Sequence, residues 1–65
     1  MIYHKLLFQF KPGTKLSYQD EFHTICSYPY LDKSVCWWFA EVEGGGQLCV
    51  YDPLDPDYNE EIKII

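Results

Sequence analysis

From residue 2 to residue 10 the chain alternates. Ile2, His4, Leu6, Phe8 and Phe10 share one side, and Tyr3, Lys5, Leu7 and Gln9 the other. A period of two predicts a half-buried strand, and Pro12-Gly13 ends it with a turn. The spacing then becomes helical: Tyr18, Phe22, Ile25 and Cys26 stand at i, i+4, i+7 and i+8, one face of a short helix. Ser17 precedes Asp20 by three and Glu21 by four, which supplies a capping hydroxyl and first-turn acids. Pro29 stops that helix, because a residue before proline avoids the α region.

Residues 34–43 (SVCWWFAEVE) carry the strongest strand signal, rich in aromatic and β-branched side chains. Gly44, Gly45 and Gly46 connect them as a hairpin to a strand over 47–51. The stretch 52–58 (DPLDPDY) holds two prolines, which a central strand excludes, so it predicts a loop. Residues 60–65 form a last short strand. The predicted order is β-α-β-β-β. This is a single small α+β domain over 1–65, with one short helix packed on a three- to four-stranded, mostly antiparallel sheet. The pairing of the first strand stays open, since a helical crossover can lay it parallel to the second.

One helix covers one face of a sheet. Along 34–43 the even set is Cys36, Trp38, Ala40 and Val42, and the odd set is Val35, Trp37, Phe39, Glu41 and Glu43. Strand side chains alternate between faces, so one aromatic set must meet solvent or a partner. The neighbouring strands extend it to a patch of Tyr3, Leu7, Trp37, Phe39, Cys49 and Tyr51, rimmed by Lys5, Gln9, Glu41, Glu43 and Asp52. An aromatic centre with a polar edge has the make-up of a protein interface. The competing reading folds the C-terminal segment or the 11–16 loop over this face.

Charge sharpens the picture. The 65 residues carry five Lys, no Arg and ten acids, for a net charge of −5. Residues 1–40 hold four Lys against Asp20, Glu21 and Asp32, and residues 41–65 hold seven acids against Lys63. The first part is thus +1 and the second −6. Phosphate backbones are met by Lys and Arg, so direct nucleic-acid binding is disfavoured and a basic protein surface is the fitting partner. Asp52, Asp55, Asp57, Glu60 and Glu61 put five carboxylates in ten residues. They serve as a solubilising loop or as a phosphate-like surface. A Ca²⁺ loop fits poorly, because the Asp-x-Asp-x-Asp-Gly run is missing.

Little else points to chemistry. His23 and Cys26, i and i+3 on the predicted helix, can be combined with Cys36 and Cys49 into a Cys₃His zinc set, though no CxxC pair exists and packed thiols are the plainer reading. A Cys/His nucleophile pair lacks a pocket and an oxyanion hole. The three glycines lack the Lys-Ser/Thr of a phosphate loop. No catalytic residue and no cofactor are expected, and no metal site beyond that weak set. Three cysteines cannot all pair within the chain, which argues for a reducing compartment. No segment has the apolar length of a membrane span. The 2–10 run, broken by His4, Lys5 and Gln9 and without a small-residue cleavage site, is not a signal peptide. A cytoplasmic location is expected.

The Arg-free, aromatic-rich, acidic character resembles, as a class only, small inhibitors carried by phages and mobile elements. The expectation is an acidic protein-binding inhibitor that blocks a nucleic-acid-handling host protein, such as a CRISPR effector, a DNA repair enzyme or a transcription enzyme. It would occupy a basic surface, partly as a nucleic-acid mimic. Trp37, Phe39 and Tyr51 would anchor, and Glu41, Glu43, Asp52, Asp55 and Asp57 would carry the phosphate-like charge. The alternative is a homodimeric assembly module burying the same face, and the third is a zinc-binding mini-domain.

Overall fold

The computed structural model describes residues 8–65. Six strands and a short helix follow one another: β1 (Lys15–Tyr18), β2 (Glu21–Thr24), β3 (Tyr30–Asp32), β4 (Trp37–Glu41), β5 (Gln47–Tyr51), the helix Pro56–Glu61, and β6 (Lys63–Ile64). They form two antiparallel three-stranded sheets, ordered β2-β1-β6 and β3-β4-β5. The α+β class expected from the sequence is the class observed. The order of elements differs in two segments outright, and β3 is a strand the sequence reading does not contain.

The first difference is the segment predicted to be a helix, which is a hairpin. Tyr18 pairs with Glu21, leaving Gln19 and Asp20 as a two-residue turn with φ of 49° and 64°. Two successive left-handed residues are what a tight hairpin turn needs to follow the strand twist. Leu16 pairs with His23 and Ser17 with Phe22, so Leu16, Tyr18 and Ile25 point inward. Phe22, assigned to an apolar helix face by its spacing, stands 74% exposed on the other side. Pairing on both edges of β1, with β2 and with β6, outweighed a helical spacing carried by residues that favour strands.

The second difference is a helix that takes the end of the predicted loop, 56–58, and the start of the predicted last strand, Glu60 and Glu61, which leaves only Lys63–Ile64 as strand. Asp55 caps the helix by accepting the Tyr58 N–H at 3.1 Å, and Pro56 opens the first turn. Proline is well placed there because its missing N–H would have had no helical partner. Asp57 adds an acid to the first turn, where the helix dipole favours it.

The strand predicted over 2–10 lies outside the described residues as far as Leu7. Residues 8–10 belong to no strand, although Phe10 is buried. Pro12-Gly13 does turn the chain: the Thr14 N–H donates to Lys11 O at 3.1 Å, and Gly13 takes φ 94°. That angle is open to glycine at little steric cost.

The core lies between the two sheets: Phe10, Leu16, Ile25, Ala40, Val50 and Ile62 are buried. Tyr18, Trp38, Val42, Leu48, Tyr51 and Tyr58 pack around them. Ile25 joins the sheets. It bridges Val42, while Cys26 N–H donates to Glu41 O at 2.8 Å and Glu43 N–H to Thr24 O at 2.9 Å. Its other edge bonds Gly13 and Thr14, so one residue belongs to both sheets. The partner of the core-facing side of β4 is therefore a second sheet rather than a helix. The far side of β3-β4-β5 faces outward.

Candidate protein-docking face

Strand β4 sets the site. Trp37, Phe39 and Glu41 point outward, and Trp38 and Ala40 inward, as the odd and even sets predict. The strand starts later than expected, at Trp37, because 33–36 form a turn that leaves Val35 and Cys36 exposed. Asp32 builds that turn. Its carboxylate accepts the Ser34 hydroxyl at 2.6 Å and the Ser34 N–H at 2.9 Å, and its carbonyl accepts the Cys36 N–H at 2.7 Å. The two Ser34 bonds hold the Asp32 carboxyl below its ordinary range.

Strand β3 contributes Tyr30, opposite Phe39. The ring centroids of Trp37 and Phe39 are 6.1 Å apart and those of Phe39 and Tyr30 6.4 Å, all tilted, within the range of favourable aromatic pairs. Trp37 is 41% exposed and Tyr30 38%. Tyr30 lies outside the expected patch, because Pro29 marks the end of the predicted helix. The signal was present in Tyr-Leu-Asp between Pro29 and an Asp-x-Ser turn.

One end of the aromatic row is polar. Tyr30 Oη stands 2.5 Å from Glu41 Oε2 and 2.6 Å from Gln47 Oε1. A phenol has one proton to give, and the charged carboxylate is the stronger acceptor. The bond to Glu41, with some burial and the nearby Glu41 and Asp32 charges, pushes the Tyr30 phenol up to about 12.

Strand β5 changes the expected patch. Phe39 pairs with Cys49 but Trp38 with Tyr51, so a bulge fits an extra residue into β5. Residues paired directly across strands share a face, and Trp38 packs on the core. Tyr51 therefore turns inward and is half-buried there. It is not on the outward patch with Trp37 and Phe39, where simple alternation had put it. Cys49 remains on the outward side, and burial pushes its thiol up. The patch members Tyr3, Lys5 and Leu7 lie outside the described residues.

The acids fall into three places. Glu41 is part of the face, held by Tyr30. Glu43 is exposed on the turn after β4. Asp52 and Asp55 border the far end, where β5 runs into the helix, and Asp57 follows in the first helical turn. Asp52 Oδ1 accepts the Leu54 N–H at 2.9 Å. The Asp52 backbone is read twice by Asn59, at 2.7 Å to its N–H and 2.8 Å to its carbonyl. Asp52 and Asp55 are thus fixed by the turn and the helix cap, while Asp57 is exposed. Between them Trp37, Cys49, Asp52, Asp55 and Tyr58 line a cleft of about 220 Å³.

The possible zinc set does not assemble. His23 is on β2 rather than a helix, with Nε2 3.7 Å from Glu21, and Cys36 is on the 33–36 turn. Among the described residues no three His, Cys, Asp or Glu side chains gather as metal ligands. No helix among them is long and apolar enough to cross a membrane.

The fold and this face define a small α+β protein with an aromatic, acid-rimmed outer surface. Comparison of the chain with protein-family models, curated proteins and solved structures finds no match.

Proposed function

We propose that the chain is a protein-binding inhibitor that docks its outer β3-β4-β5 face on a basic surface of a nucleic-acid-handling protein. The carrying observation is the outward row Trp37–Phe39–Tyr30, bounded by Glu41 at one end and by Asp52 and Asp55 beside Trp37 at the other. Aromatic side chains supply most of the energy at protein interfaces, and complementary charge supplies steering and register. Fixed carboxylates occupy places where a partner would otherwise hold phosphates. In this reading Tyr30 replaces Tyr51 as the third anchor. The partner is a CRISPR effector, a DNA repair enzyme or a transcription enzyme, and the chain is of the kind phages and mobile elements encode. Its three free thiols suit the cytoplasm.

The test is capture of the partner by the full chain, followed by competition of the captured complex with DNA and RNA. Capture that nucleic acid displaces, and that weakens when Asp52, Asp55 and Asp57 are all changed to Asn, is the expected result. Capture indifferent to those three changes overturns the mimicry. A stable dimer in sedimentation, with Trp37 shielded, would instead assign the face to self-association.

A further inference from the structure

The cleft at the end of the face has a composition of its own. Its walls are the Trp37 and Tyr58 rings and the Cys49 side chain, and its acids are Asp52 and Asp55. It is smaller than the pockets that take drug-sized molecules, and its size suits a single side chain. No Lys lines it.

Each wall is fixed. The Tyr58 hydroxyl donates to Cys49 O at 2.7 Å, and its ring packs against Tyr18 with centroids 5.2 Å apart. The Asp52 and Asp55 carboxylates each spend Oδ1 on a backbone N–H, of Leu54 and Tyr58. Among the described residues their Oδ2 atoms take no hydrogen bond, so both keep acceptor capacity in a set direction. Burial keeps the Cys49 thiol protonated, which makes it a neutral wall.

Two aromatic rings beside two oriented carboxylates attract a cation. Rings offer the face of a negative quadrupole, and carboxylates offer charge-assisted acceptors. A guanidinium uses both at once, because it is planar, stacks on an indole and donates in its plane, whereas an ammonium is a compact, strongly hydrated point charge. We propose that this cleft is an arginine-binding subsite, which takes one Arg side chain of the protein partner between Trp37 and Tyr58 and pairs it with Asp52 and Asp55.

This inference rests on the reading of the face as a docking surface for a basic protein, but it is testable without that protein. The full chain, labelled with ¹⁵N, is titrated with N-acetyl-arginine methylamide. N-acetyl-lysine methylamide and sodium chloride at matched ionic strength are run beside it. The expected result is saturable shifts of the Trp37 indole N–H and the Cys49 and Tyr58 amides, with a Kd in the millimolar range. The lysine analogue should bind at least three-fold more weakly.

The double variant D52N/D55N removes both charges while keeping the cap, since Asn caps a helix as well as Asp. It should weaken binding at least five-fold. The variant W37A leaves both acids and should do the same. Shifts that grow linearly without saturating, that appear equally with lysine or salt, or that persist in both variants overturn the subsite. Should arginine bind while capture of a nucleic-acid-handling protein fails, the partner reading falls and the cleft stands. The opposite pair of results removes the cleft alone.

Discussion

Trp38 lies directly opposite Tyr51 across β4 and β5, one residue out of step with the neighbouring Phe39–Cys49 pair. The offset separates two tasks that alternation alone would have merged. Trp37 and Tyr51 should therefore answer differently to truncation. Y51A should lower stability by about 2 kcal/mol through lost core packing, whereas W37A should cost about 1 kcal/mol through its lost pairing with Phe39 and, unlike Y51A, abolish partner binding. Urea unfolding and binding measured on the same pair of variants check this.

The Tyr30 phenol holds its proton more tightly in the folded chain than in the unfolded one. Its contribution to stability is therefore complete below the unfolded value of 10.0 and is lost as pH rises towards about 12. Burial pushes the Tyr58 phenol up as well, so absorbance at 295 nm should show two late-ionising phenols in the parent and one in Y30F. A Y30F difference spectrum titrating near pH 10 would contradict the bond to Glu41.

At Asp55 the charge and the cap can be separated. D55A should cost about 1 kcal/mol, or roughly 4–8 °C in Tm for a chain of this size, while D55N should be nearly neutral. Thermal unfolding followed by circular dichroism distinguishes the two.

The cysteines should differ in reactivity. Cys26 and Cys36 are exposed, whereas Cys49 is half-buried with its thiol pushed up by burial. Thiolate is the reacting form, so timed iodoacetamide labelling read by mass spectrometry should modify Cys49 last.

Gly45 sits at φ 97° with nothing within 4 Å of where a Cβ would stand. G45A should thus cost about 1 kcal/mol from backbone strain alone, with no change in the core. Chemical unfolding at unchanged m-value is the check.

The parts legible in the sequence were those governed by one local rule. The inward and outward sets of β4, the turn at Pro12-Gly13 and the glycine hairpin follow from period and turn chemistry, and the structure shows each of them. The helix was misplaced for physical reasons. Tyr18, Phe22, Ile25 and Cys26 fit a helical spacing, but their segment is held as a strand pair by β6, which is 46 residues beyond Ser17 at Lys63. No local pattern carries that pairing. The helix Pro56–Glu61 is legible in Asp55-Pro56 as a cap followed by proline, since two prolines exclude a central strand but not the first turn of a helix. The bulge that removes Tyr51 from the face is a property of how β5 fits β4, and no feature of residues 47–51 marks it. Tyr30 was hidden by the same misplaced helix.

Ile25, held on both edges, makes the two sheets a single cooperative unit. Its amide should exchange with solvent only on global unfolding, along with those of Cys26 and Glu43 across the seam. The same tie bears on association. A face braced from behind by a second sheet has little backbone freedom left to lose when a partner lands on it, so less of the contact energy is consumed in ordering the loops and side chains that meet the partner.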